Sequence, residues 1–162
     1  MAHPDSIIAR DRKAEHAATI GITEKRISEL VTRFYDRVRR DTAIGPIFND
    51  RVSDWSVHLP RMVDFWISIA IKSGRFHGNP VLKHIVISEI DKTHFDHWLK
   101  LFDQTLSEVM PTPESREFFS NRASRIAKSL MTGISLHKDG LEDITQKGMP
   151  RKIRQRRETD DK

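Results

Sequence analysis

The chain has 162 residues, 31% of them charged, and a formal net charge of +5, a size that holds one hydrophobic core with little left for a second. It has no cysteine, which excludes disulfides, thiolate metal sites, iron–sulfur clusters and covalent haem attachment through C-x-x-C-H. No apolar run approaches the ~18 residues of a membrane span, the amino terminus lacks a secretory apolar region, and cytoplasm is the expected compartment.

Residues 1–21 carry charge throughout and are expected to be an extension before the domain. From Thr23 to Arg40, Ile27, Leu30, Val31, Phe34, Tyr35 and Val38 recur at three and four, the spacing of one helix face, with Thr23 as N-cap. Gly45-Pro46 then predicts a tight corner that returns Ile47 and Phe48 toward the core. Ser53 is placed to cap the next helix, in which Trp55, His58, Leu59, Met62, Phe65, Trp66 and Ile69 share a broad stripe. Pro60 falls inside that pattern and predicts a bend.

Residues 74–92 read as mostly irregular, with one turn of helix around Val81 to His84. Periodicity returns with Phe95, Trp98, Leu99, Phe102, Leu106 and Val109 and stops at Pro111. Thr112-Pro113-Glu114 starts a fourth amphipathic helix along Phe119, Ala123, Ile126, Ala127, Leu130 and Ile134, expected to end near Ser135 or His137. The tail from 137 to 162 is expected to be disordered or weakly helical, and it holds much of the positive charge, six basic residues in KGMPRKIRQRR. An ordinary solvated tail is the better reading of that run, so nucleic acid is not the expected partner. The sum is a small all-α domain over residues 22–136.

Three side chains with N–H or O–H groups, Tyr35, His58 and Trp98, lie on inward stripes of three helices. Taken singly, each is more simply a core residue bonded to nearby backbone; three on converging faces weaken that account. A lone His84 in an apolar run is by itself more often a satisfied core or rim residue than a ligand. His94-x-x-His97 lacks the partners of a zinc or di-iron motif, and both imidazoles are expected at the surface. No G-x-S-x-G, Walker loop or G-x-G-x-x-G is present.

Four blocks together, FYDRVRRDTAIGPIF (34–48), WSVHLPRMVDFW (55–66), GRFHGNPVLKH (74–84) and HFDHWLKLF (94–102), resemble the truncated haemoglobins, specifically group III, in order and spacing. The resemblance covers about residues 22–134, leaves both terminal extensions outside it, and is supported by the absence of a Gly-Gly pair. It implies a globin-like two-over-two helical sandwich around haem b, with His84 as the proximal ligand to iron. It also implies that Tyr35, His58 and Trp98 face a bound diatomic ligand (O2, NO or CO). Phe48, Met62, Phe65, Trp66 and Phe95 would wall the haem, and Arg61 would meet a propionate. The family often has tyrosine where this chain has Phe76. Reversible oxygen binding is the function expected. Haem redox catalysis with a reductase, as nitric oxide dioxygenase or peroxidase, stays open as the alternative, because polar distal donors also assist O–O cleavage.

Overall fold

The computed structural model describes residues 4–71 and 90–147, and for 6–11 and 137–147 the backbone alone. Six helices follow one another among these residues, with no strand: α1 (Pro4–Thr19), α2 (Glu24–Arg40), α3 (Gly45–Arg51), α4 (Trp55–Ile71), α5 (Lys92–Val109) and α6 (Pro113–Lys147). Helix α2 packs on both α4 and α5, and α5 packs on α6, while α1 lies against α4 and α3 against α2. The four long helices α2, α4, α5 and α6 form the two-over-two helical arrangement of an all-α domain.

The periodic positions are the ones that become buried. Ile27, Leu30, Val31, Phe34, Tyr35 and Val38 all point inward from α2, and the Thr23 side chain caps that helix by accepting the Arg26 N–H. Phe34 is the centre of the core. It meets Trp98 of α5 edge-on at 5.4 Å and Phe102 of α5 at 5.1 Å, while Trp66 of α4 stacks on Phe102 at 5.2 Å and meets Phe119 of α6 at 5.7 Å. Rings from all four long helices thus interlock through offset and edge contacts, the arrangements that aromatic quadrupoles favour.

The ends are fixed by polar contacts. Thr112 and Ser115 cap α6 reciprocally, each side-chain oxygen accepting the other's backbone N–H at 3.1 and 3.2 Å. The Thr112 hydroxyl also donates to Ile20 O at 2.6 Å, which ties the start of α6 to the end of α1. Beside it Gly21 adopts a positive φ of 88°, and a Cβ there would stand 2.6 Å from Pro111 Cγ. Only glycine suits both the turn and the approach.

Four details differ from the sequence expectation. The segment before residue 22 contains α1, whose Ala17 is buried in the core. Gly45-Pro46 does not merely turn the chain but opens α3, because proline has no N–H to lose in a first helical turn. The cap of α4 is Asp54, which accepts from the Ser56 N–H and hydroxyl, rather than Ser53. Helix α6 runs on to Lys147, since no proline interrupts the chain between Pro113 and Pro150. The turn expected around Val81 to His84 lies outside the described residues.

Candidate functional site

Along α4 the fully buried residues are Trp66, Ile67 and Ala70. A neighbouring row of the same helix, His58, Met62, Phe65 and Ile69, is only half-buried. This row is spaced at four, three and four, so it forms one continuous stripe of mainly apolar side chains. Met62, Phe65 and Ile69 of this stripe also pack against the core.

At the His58 end of the stripe three rings close on one another. Tyr35 lies 5.7 Å from Trp55 and 5.7 Å from His58, and Trp55 lies 5.6 Å from His58, measured between centroids. Tyr35 also meets Phe34 at 5.0 Å and Phe48 at 6.1 Å. The Arg39 guanidinium covers the outer side of this cluster, 4.7 Å over the Trp55 ring. Burial among these rings pushes the Tyr35 phenol well above its ordinary pKa, because the phenolate would be desolvated. Tyr35 is therefore a neutral O–H group throughout the physiological range.

Phe48 belongs to this cluster and also to a mainly apolar cleft lined by Ile44, Ile47, Phe48, Ile90, His94, Phe95, Trp98 and Leu130. Helix α3 supplies one wall and α5 another, and Leu130 of α6 supplies a third. Trp98 is held there by Phe34 and by stacking on Phe102 at 5.7 Å with planes 5° apart. The cleft itself is small, about 40 Å³, so its apolar lining, with N–H and O–H groups beside it, suits one face of a flat, largely apolar cofactor whose entry would part these walls.

Of the residues anticipated around a haem, Phe48, Phe95 and Trp98 line this cleft, His58, Met62 and Phe65 lie on the half-buried stripe of α4, and Arg61 is exposed one turn from His58. Trp66 lies in the core between Phe102 and Phe119. His84 and Phe76 lie outside the described residues.

The two histidines expected at the surface are both half-buried and bonded. His94 Nδ1 accepts the Asp91 N–H at 3.1 Å while the Asp91 carboxylate accepts the N–H groups of Thr93 and His94, a reciprocal cap at the start of α5. His97 Nε2 lies 2.7 Å from Asp41 Oδ2. Sequence reading also missed Trp55 as a neighbour of Tyr35 and His58, and the lining roles of Ile44, Ile47, Ile90 and Leu130. Helical spacing signals that such a residue faces inward, not which inward residue it meets.

Comparison with known proteins gives concordant matches. The family model described as Bacterial-like globin matches residues 18–132. The Group 3 truncated hemoglobin ctb of Campylobacter jejuni is 31% identical over 110 residues, which cover 65% of this chain and 86% of that protein. The crystal structure of a group III truncated hemoglobin from Campylobacter jejuni matches with a TM-score of 0.65 and 32% identity, over 70% of this chain and 91% of that one. A group II truncated hemoglobin from Bacillus anthracis shares the fold, with a TM-score of 0.60 at 24% identity over 70% of this chain and 88% of that one.

Proposed function

The chain belongs to the bacterial-like globin family and to its group III truncated haemoglobins, and on that premise we propose that it is a haem b protein that reversibly binds dioxygen and related diatomic gases. Haem-iron binding follows from the family; the gas, the haem type and the residue roles are the proposal. The observation that carries it is the neutral, buried Tyr35 phenol packed against His58 and against Phe48, which lines the apolar cleft together with Trp98.

A haem iron held by His84 would supply the coordination position for the gas. An imidazole suits that role because one ring nitrogen binds the metal while the other donates to an acceptor that fixes the ring. The remaining work falls to the protein. A diatomic ligand that gathers negative charge is stabilised by donors, and Tyr35 O–H and Trp98 Nε1–H are the donors assigned to it. Each charge-assisted hydrogen bond contributes ~1.5–3 kcal/mol. A phenol is already protonated in the physiological range at its ordinary pKa of ~10, and burial only widens that margin, so Tyr35 donates rather than repels.

His58 stands beside Tyr35 and adjusts access or bonding on that side. Phe48, Met62, Phe65 and Phe95 exclude water, with Trp66 supporting them from the core. Arg61, exposed at the rim, is suited to pair with a haem propionate. The test is His84→Ala in the intact chain, which is expected to abolish stoichiometric haem retention. Unaltered haem content and oxygen binding would defeat the assignment of the iron ligand.

A further inference from the structure

We propose that His97 is a positioning residue for Trp98, acting through its bond to Asp41, which holds the α5 wall of the cleft in register with the α3 wall. The inference rests on the reading of the cleft given above.

The Asp41 carboxylate divides its two oxygens between two elements. Oδ1 accepts the N–H groups of Ala43 and Ile44 at 2.9 and 3.0 Å, shaping the turn that leads into α3. Oδ2 meets His97 Nε2 of α5 at 2.7 Å, across 56 residues of sequence. The backbone N–H of Asp41 is bound as well, to Val38 O at the end of α2. One side chain therefore joins the α2–α3 corner to α5.

Each end of this link carries a residue of the cleft. Ile44, whose N–H is held by Asp41, and Phe48, one turn further on, line it from the α3 side. Trp98, the next residue after His97, lines it from the α5 side. The aromatic contacts of Trp98 with Phe34 and Phe102 fix the plane of its ring, but stacking is tolerant of sliding along that plane. A short hydrogen bond is directional, so the His97–Asp41 bond sets where the α5 wall, and the indole on it, stands relative to the α3 wall.

The Asp41 end stays ionised. Burial alone would raise its carboxyl pKa, but the bond from His97, the N–H groups of Ile44 and Ala43 and the charge of His97 together hold it below the usual range. Its side chain is 16% exposed and that of His97 33% exposed, so neither group is a freely solvated surface charge.

The test compares His97→Leu, His97→Gln, Trp98→Phe and the double variant His97→Leu/Trp98→Phe as haem-loaded full-length chains. The readouts are the C–O stretching frequency of the carbon monoxide adduct and the oxygen dissociation rate. His97→Leu is expected to shift the stretch and to speed dissociation by about 2- to 10-fold, the range of one hydrogen bond weakened. His97→Gln, which keeps a side-chain N–H, restores both readouts toward the parent. In the Trp98→Phe background the His97→Leu change is expected to move neither. Should His97→Leu lose its helical circular dichroism, His97→Phe, which keeps a ring and removes the nitrogens, takes its place.

Parent-like values in the His97 variant, or an equal change with and without Trp98, would overturn the positioning role while leaving the haem reading intact. A parent chain that takes up no haem overturns both.

Discussion

Tyr35 and His58 meet edge-on, with centroids 5.7 Å apart and planes at 85°, so α2 and α4 bring a phenol and an imidazole into one aromatic cluster. Tyr35→Phe keeps the ring and every apolar contact but removes the O–H. It is expected to speed oxygen dissociation by ~10-fold or more, the equivalent of about 1.4 kcal/mol, measured by stopped-flow mixing. An unchanged rate would assign ligand stabilisation to Trp98 or His58 instead.

Arg39 lies over the Trp55 face at 4.7 Å, and Trp55 in turn touches both Tyr35 and His58. Removing the cation in Arg39→Ala is expected to cost about 0.5–1 kcal/mol. The loss is read as a fall in Tm of a few degrees by circular dichroism. A variant as stable as the parent would show that the two neighbouring rings alone hold Trp55.

Gly45 sits where α3 begins, against the end of α2, and a Cβ on it would stand 2.9 Å from both Val38 O and Arg39 O. Both neighbours are main-chain atoms and cannot swing aside, so Gly45→Ala must push α3 away from α2. A cost of about 1–3 kcal/mol is expected, as for other overpacked sites, measured by the urea midpoint. A neutral result would mean that α3 shifts freely, and with it the Phe48 wall.

Asp41 has a depressed folded-state pKa. Its contribution to stability is therefore complete above the ordinary carboxyl value near ~3.9 and is lost as pH falls through the lower folded value. Asp41→Asn is expected to lower Tm at neutral pH and to lose less than the parent on acidification below about pH 4. Parent and variant curves that stay parallel through that range would contradict the assignment.

The long helices were legible because a buried face repeats with the helical period. Every inward residue anticipated on α2, from Ile27 to Val38, is buried, and so are Phe119, Ala123, Ala127, Leu130 and Ile134 on α6. On α4 the anticipated stripe lies off the most buried face, since it includes Trp66 but not Ile67 or Ala70. Ile67 and Ala70 are buried, while Met62, Phe65 and Ile69 are half open, because spacing marks a face but not what covers it. Helix α1 escaped notice because its sequence is dominated by charged and small residues, with Ala17 as its buried anchor. The Asp41–His97 bond was invisible for another reason: two polar residues 56 positions apart leave no periodic trace. Family resemblance, carried by four blocks in register, supplied what periodicity lacks. It pointed to Tyr35, His58 and Trp98 as a set, and the structure groups Tyr35 with His58 in one ring cluster and puts Trp98 in the adjoining cleft.

The central claim, that the chain takes up one haem, is tested most directly by titrating the purified full-length chain with hemin. Absorption spectra are followed before and after dithionite and carbon monoxide. The account predicts saturation at one hemin per chain, a ferrous spectrum after reduction and a sharp Soret shift on carbon monoxide addition. A chain that stays spectrally inert as hemin is added, with no carbon monoxide response, would contradict it.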